Sequence, residues 1–273
     1  MRHRPAALAA VLFVAAIGFA PVPSAAAVPV TSWAPAASAT IHPGIQTTAN
    51  DSQCTANFVY TDKAGDVFLG QASHCTSNAS EITASGCDQK SLPLGTPVDL
   101  GDSGVQGTLV YSSWMTMQKL GEKDPETCFD NDFALIKVPA EAVSKVNPSV
   151  PIFGGPMGVA TGELAPFAPV EGYGNSSLRG GIEPLSQQQG FSLGTAGGGW
   201  YHVVYLFPPG VPGDSGGGYM DANGNAVGEL VAVNSIPPGS NTLIDVGHLL
   251  AYAQQHAGFK GLDLVKGTEP FGG

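Results

Sequence analysis

The sequence predicts an all-β protein whose short strands form either one large β domain or two small barrels in tandem. Two observations support this class. Short runs of apolar or alternating residues recur between clusters of Gly, Pro, Asn and Asp, which is the pattern of β-sandwiches and β-barrels. The 273 residues include 37 Gly and 22 Pro, and 43% are hydrophobic. The chain therefore combines many turns with enough apolar side chains for a sizeable core.

Seven apolar runs predict strands, and the loop between the first two predicts a hairpin. Residues 62–65 read DKAG, and Gly65 can take the positive φ that a tight turn needs. The predicted strands span residues 55–61, 66–71, 107–112, 133–138, 170–173, 201–207 and 226–233.

One helix is predicted near the end of the chain. Asp245 precedes it as the N-cap, and Gly258 can end it in a left-handed conformation. We expect its apolar face to pack against the β structure. The residues of that face recur at helical spacing and are Val246, Leu249, Leu250, Ala253 and Ala257.

The first 27 residues have the three parts of a secretory signal peptide. A basic start at residues 2–4 precedes an apolar stretch at residues 6–20 and small residues at 24–27. That stretch is shorter than the roughly 20 residues of a spanning helix, so we expect cleavage after Ala27 and an extracellular protein without membrane contact. Residues 28–44, rich in Ala, Pro and Ser, are expected to be a flexible lead-in or pro-region.

The charge of the chain limits its partners. Only 12% of the residues are charged, and the formal net charge is -11. Phosphate recognition needs a basic face, which this composition does not supply, so we expect no nucleic-acid partner. Separately, we expect the protein to be a monomer.

Four cysteines in an exported chain predict two disulfides, for which three pairings are possible. No CxxC or HxxxH spacing occurs, so the sequence predicts no metal site, and we expect no cofactor.

The strongest chemical signal is a serine in a glycine-rich turn, residues 213–217 (GDSGG). Because glycine has no side chain, the hydroxyl of Ser215 and nearby backbone N–H groups are open to a substrate. A serine hydroxyl is a weak nucleophile that needs a general base, and the base needs an acceptor behind it. His74 follows an apolar run in QASHC (residues 71–75), and Asp132 opens a strand in DNDFALI (residues 130–136).

These three segments, in the order His, Asp, Ser, resemble the chymotrypsin-like serine proteases, whose segments read roughly TAAHC, NDIAL and GDSGG. The resemblance implies two six-stranded antiparallel β-barrels and a C-terminal helix. The N-terminal barrel would span residues 45–145, and the C-terminal barrel with the helix would span residues 146–273. It also implies a secreted endopeptidase that acts on protein or peptide substrates.

The resemblance assigns a role to each residue of the site. Ser215 would attack the scissile carbonyl, His74 would act as base and then as acid, and Asp132 would hold the imidazole. The N–H groups of Gly213 and Ser215 would form the oxyanion hole. The family's disulfide beside the catalytic His implies the pairing Cys54–Cys75, which leaves Cys87–Cys128.

The sequence also departs from the family. Trypsin-type members bind basic side chains through an aspartate six residues before the nucleophile, where this chain has Pro209. We therefore expect no preference for cleavage after Arg or Lys. The proline-rich approach to Ser215, residues 208–212, would form one wall of the specificity pocket. The second wall should follow the strand at residues 229–233, which makes Asn234 and Ser235 candidates for contact with the substrate backbone.

In zymogen-type members of the family, a new N-terminus pairs with the aspartate that precedes the nucleophile. No activation site that reads like IVGG occurs in this sequence, so another group must neutralise Asp214. Arg179 is the only arginine after residue 27, and bacterial relatives use an internal arginine here. We hypothesise an Asp214–Arg179 pair, and the alternative is an exposed loop arginine between glycines.

Two other functions compete with the protease. The GDSGG turn also satisfies the GxSxG pattern of esterases, with Asp221 or Asp245 and His248 as partners, but the alternating βα units of that fold are missing. A catalytically silent relative that serves as an extracellular binding protein is the second alternative, because Gln71, Ser73 and the proline-rich approach to the serine differ from the family pattern.

Overall fold

The computed structural model describes residues 32–77 and 85–272. The predicted signal peptide lies outside these residues. Within them, no helix is long and apolar enough to cross a membrane.

The described chain consists mainly of short strands. The strands are β1 Gln46–Ala49, β2 Ser52–Thr55, β3 Val59–Thr61, β4 Val67–Gln71, β5 Pro97–Leu100, β6 Gln106–Ser112, β7 Ala134–Lys137, β8 Gly158–Val159, β9 Pro169–Tyr173, β10 Gln187–Ala196, β11 Tyr201–Phe207, β12 Gly218–Asp221, β13 Asn225–Val233, β14 Asn241–Asp245 and β15 Asp263–Leu264. The α-helices are α1 Ser113–Leu120, α2 Pro125–Asp130, α3 Glu183–Ser186 and α4 Val246–His256.

The strands form two sheets that are almost entirely antiparallel. The second sheet runs β12-β9-β10-β11-β14-β13, and because β12 also pairs with β13, these six strands close into a barrel. The short β8 joins β13 in parallel. The first sheet runs β15-β3-β4-β7-β6-β5-β1-β2. The predicted all-β class with a C-terminal helix is therefore confirmed.

The first sheet has eight strands rather than the expected six, for two reasons. The predicted run 55–61 breaks into β2, which pairs with β1, and β3, which pairs with β4. In addition, the chain returns after α4, and β15 pairs with β3.

Local predictions agree with the structure at the first hairpin and at the terminal helix. Gly65 has a φ of 82° in the turn between β3 and β4. The side chain of Asp245 accepts a hydrogen bond from His248 N at the start of α4, and Gly258 has a φ of 82° after its end. The buried face of α4 comprises Val246, Leu249, Leu250 and Ala253.

The expected flexible lead-in, residues 28–44, differs from the structure in its described part. Ile41 is fully buried in the apolar core of the first sheet, and its N–H donates to Lys145 O at 3.2 Å. Asn147 N donates to Ile41 O at 2.9 Å. The composition, rich in Ala and Pro, predicted a flexible segment. Burial of the Ile41 side chain in the core instead stabilises one fixed position of this part of the chain.

The apolar core has one cluster in each sheet, a third where the two sheets meet, and a small fourth cluster formed by Cys54, Ala72 and Cys75. The shared cluster includes Phe58, Tyr60 and Phe133 from the first-sheet region, Met220 and Ile244 from the second, and Leu249 from α4. The two sheets are thus packed together along a mainly apolar seam.

Candidate active site

His74 and Asp132 are held together by two hydrogen bonds. His74 lies in a single 3-10 turn, Ser73–Thr76, directly after β4, and Asp132 lies two residues before β7. His74 Nδ1 lies 2.7 Å from Asp132 Oδ2, and the backbone N–H of His74 donates to Asp132 Oδ1 at 2.8 Å. The pairing of β4 with β7 brings the two segments side by side. An imidazole bound in this way donates its Nδ1 proton to the Asp132 carboxylate in a hydrogen bond, which leaves Nε2 free to accept a proton.

The environment of His74 shifts its pKa in two directions. Burial lowers the pKa, whereas the charge of Asp132 and the hydrogen bond to it raise it, and the net result is a pKa above the ordinary 6.5. A general base must be neutral to accept a proton. The His74 imidazole is therefore neutral, and able to accept a proton, on the alkaline side of the ordinary histidine range.

The Ser215 turn is clamped between the two sheets. Thr55 N from β2 donates to Ser215 O at 2.9 Å, and Gly216 N donates to Leu230 O in β13 at 2.6 Å. The sulfur of Cys75, the neighbour of His74, lies 3.9 Å from Ser215 O. Ser215 thus sits next to the His74 segment, although no hydrogen bond joins its hydroxyl to His74 within the described residues.

Two backbone N–H groups of the turn are unbonded. The N–H groups of Asp214, Gly216 and Gly217 donate to backbone oxygens, at 2.9, 2.6 and 2.9 Å. Those of Gly213 and Ser215 donate to no group in the described part of the chain. Two unbonded N–H groups beside a serine hydroxyl are the arrangement that an oxyanion hole requires.

Asp214 and Arg179 form a buried ion pair. The Arg179 side chain is 6% exposed and the Asp214 side chain 0%. Arg179 Nε donates to Asp214 Oδ1 at 3.0 Å, Nη2 binds Oδ2, and the guanidinium also donates to the carbonyl oxygens of Leu185 and Pro209. The hypothesised pair is present, and it anchors the turn one residue before Ser215.

Both disulfides have the pairing that the resemblance implied. Cys54 joins Cys75, and Cys87 joins Cys128. Cys54 precedes Thr55 in β2, so the first disulfide ties the His74 turn to the strand that binds Ser215 O.

The predicted wall residues have different surroundings. Pro209 uses its carbonyl to bind Arg179. Asn234 is committed to its own turn, because its N–H donates to Ser240 O at 2.8 Å and its carbonyl accepts from Gly239 N at 3.1 Å. Ser235 is exposed. The N–H of Asn234 is therefore already bonded, whereas its carbonyl oxygen keeps a second lone pair.

Asn241 joins the two predicted pocket walls and was not singled out from the sequence. It is fully buried, accepts from Gly210 N at 3.0 Å, and donates to Ala232 O at 3.1 Å. No local motif surrounds an asparagine in a strand, so its role is visible only in the folded chain.

A second unforeseen pair crosses the seam between the sheets. Asn57 Nδ2 donates to Glu229 Oε2 at 2.5 Å, and both residues are buried. Burial, together with the charge of Asp132, raises the pKa of Glu229 well above its ordinary value. Asn57 and Glu229 each lie close in sequence to a residue that clamps the Ser215 turn, namely Thr55 and Leu230.

Solved structures identify the class of this fold. The chain aligns with Protease A from Thermobifida fusca at 17% identity and a TM-score of 0.52, covering 83% of this chain and 99% of that one. It aligns with a glutamic acid specific serine protease at 17% identity and a TM-score of 0.51, covering 82% and 100%. The chain therefore has the fold of the chymotrypsin-like serine proteases. No family model and no curated protein matches the sequence.

Proposed function

We propose that this chain is a secreted serine endopeptidase that hydrolyses peptide bonds through His74, Asp132 and Ser215. The observation that carries the proposal is the bonded His74–Asp132 pair beside a serine turn with two unbonded N–H groups. The serine proteases among its structural neighbours support the same reaction class. The esterase alternative requires a βα fold, and Asp245 and His248 instead cap α4 together.

The proposed reaction has two halves, acylation of Ser215 and hydrolysis of the acyl-enzyme, and the same groups act in both. The Ser215 hydroxyl gives its proton to His74 Nε2 while its oxygen attacks the scissile carbonyl carbon. The carbonyl oxygen becomes an oxyanion that accepts from Gly213 N and Ser215 N. His74 then passes the proton to the leaving amine, and the C–N bond breaks. Water repeats the sequence on the acyl-enzyme and releases the second product.

A fluorophosphonate probe tests whether Ser215 is an activated nucleophile. We expect the purified protein without residues 1–27 to be labelled, because the probe reacts with a serine hydroxyl that a base deprotonates. Labelling should disappear in Ser215→Ala and in His74→Ala. The matched control is Ser103→Ala, since residues 101–104 repeat the GDSG sequence in an ordinary turn between β5 and β6.

Labelling that survives Ser215→Ala would contradict the choice of nucleophile. No labelling of the folded wild-type protein would favour the silent binding protein instead.

The surroundings of Pro209 and Asn241 support a preference for uncharged substrate side chains. Pro209, Gly210 and Asn241 carry no charge at the predicted pocket walls, and the Asp214 carboxylate is already neutralised by Arg179. A buried guanidinium or ammonium without a carboxylate partner is strongly disfavoured.

Paired peptide substrates that differ only at the residue before the scissile bond test this preference. We expect kcat/KM for an Arg or Lys substrate to be at least about 100-fold below that for the best neutral residue, since an unpaired charge costs several kcal/mol. Efficient hydrolysis of the arginyl peptide would show that the pocket holds an acid elsewhere.

The two disulfides support secretion, since such bonds persist in oxidising compartments. The expected leader at residues 1–27 points to the same location. N-terminal sequencing of the protein from the culture medium tests both.

A further inference from the structure

One of the two oxyanion donors depends on the orientation of a single peptide group, and this inference rests on the proposed function. The N–H of Gly213 belongs to the peptide that also carries the carbonyl of Pro212. In a planar trans peptide these two groups point in opposite directions. Whatever binds the Pro212 oxygen therefore also aims the Gly213 N–H.

The group that binds this oxygen is the hydroxyl of Ser176. Ser176 Oγ donates to Pro212 O at 2.6 Å, and the residue is 1% exposed. The hydroxyl also accepts from Leu178 N at 3.1 Å, and the Ser176 backbone N–H donates to Asp214 Oδ1 at 3.0 Å. The oxygen of the hydroxyl thus accepts from one backbone N–H, and its proton is directed at the Pro212 carbonyl oxygen.

The following peptide is held by different residues. The Gly213 carbonyl accepts from Gln53 Nε2 and Thr55 Oγ1, each at 2.9 Å. These bonds position the link between Gly213 and Asp214, but they do not bind the Pro212 carbonyl. Ser176 is the side chain within the described residues that hydrogen-bonds the donor peptide.

Glycine makes this restraint necessary. Gly213 has a φ of 96°, a value that glycine reaches without steric cost, and glycine reaches negative φ about as readily. The Pro212–Gly213 peptide can therefore rotate and turn its carbonyl towards the substrate. An inward carbonyl oxygen would repel the oxyanion instead of stabilising it.

We propose that Ser176 is a positioning residue that keeps the Gly213 N–H directed into the oxyanion hole. It touches no reacting atom and acts through the Pro212 carbonyl. Its effect is on the transition state, where the oxyanion exists, rather than on binding of the neutral substrate carbonyl.

Kinetics of Ser176→Ala, compared with a matched control, test the proposal. We expect kcat to fall about tenfold while KM stays within about twofold, because one hydrogen bond biases two peptide orientations by about that factor. Complete loss of an oxyanion donor sets the upper limit of about 10²–10³. The affinity for a peptide aldehyde, whose adduct with Ser215 places an oxygen in the hole, should fall by the same factor as kcat.

Two comparison variants and one condition of measurement separate positioning from general destabilisation. Ser176→Thr keeps the hydroxyl and should restore most of kcat. Ser177→Ala removes the neighbouring exposed serine side chain and should leave kcat unchanged. All rates are measured well below the thermal midpoint of each variant, so loss of folded protein does not contribute.

An unchanged kcat in folded Ser176→Ala, or an equal loss in Ser177→Ala, would overturn the inference. A rise in KM with unchanged kcat would do the same, since it would place the effect on substrate binding. Failure of the wild-type protein to react with the fluorophosphonate would overturn the proposed function together with this inference, so the two failures are distinguishable.

Discussion

Replacing Asp132 by asparagine is expected to lower kcat by about 10⁴-fold, the effect of this change in a serine protease triad. The substituted amide keeps the shape of the carboxylate but donates a proton where the carboxylate accepts one. His74 Nδ1, 2.7 Å away, then becomes the acceptor, and its proton moves to Nε2. A protonated Nε2 is unable to take the proton of Ser215.

The pH dependence of kcat/KM gives a second readout of the same pair. In the wild-type protein the acidic limb should have its midpoint above 6.5, because the pKa of His74 is raised and only the neutral imidazole is active. Activity should therefore rise with pH through that pKa. In Asp132→Asn the midpoint should move to lower pH, because burial still lowers the pKa while the two contributions of Asp132 that raise it are lost.

Asp130→Asn is the matched control, since Asp130 lies two residues earlier in the same DNDF segment and is not bonded to His74. Rates of Asp130→Asn should stay close to those of the wild-type protein. Equal losses in the two variants, or an acidic midpoint that does not move, would contradict the role of Asp132.

Removing the guanidinium in Arg179→Ala is expected to lower the free energy of unfolding by about 3–5 kcal/mol, the cost of leaving one partner of a buried ion pair alone. The Asp214 carboxylate is fully buried, so the variant leaves its charge without a compensating cation. The variant also leaves the carbonyls of Leu185 and Pro209 without this donor. Because Asp214 adjoins Ser215, fluorophosphonate labelling should fall as well.

Urea denaturation of Arg179→Ala beside Lys137→Ala measures this difference. Lys137 pairs with Asp66, but the two side chains are 40% and 34% exposed. An exposed pair of this kind contributes about 0–1 kcal/mol, so Lys137→Ala should be nearly neutral. An Arg179→Ala variant as stable as this control would mean that Asp214 is neutralised by another group.

Much of the fold followed from short patterns. The hairpin at Gly65 and the helix capped by Asp245 depend on residues within a few positions of each other, and both formed as predicted. Strand β10 was missed, because its sequence QQQGFSLGTA has few apolar residues and no clear alternation. It forms because β9 and β11 flank it, and their backbone groups complete its hydrogen bonds. Strand propensity is weaker than this tertiary pairing.

The residue types of the candidate site were also recognisable along the chain, because a nucleophile, a base and its acceptor each occur in a distinctive local segment. Their supports were not. Ser176 binds Pro212 across 36 residues, and Asn57 binds Glu229 across 172. A serine hydroxyl or an asparagine amide carries no local sign of a distant partner, because each meets that partner only when the chain folds. The linear sequence therefore contains the residue types of the proposed site, whereas the orientation of their supporting groups comes from long-range hydrogen bonds that exist only in the folded state.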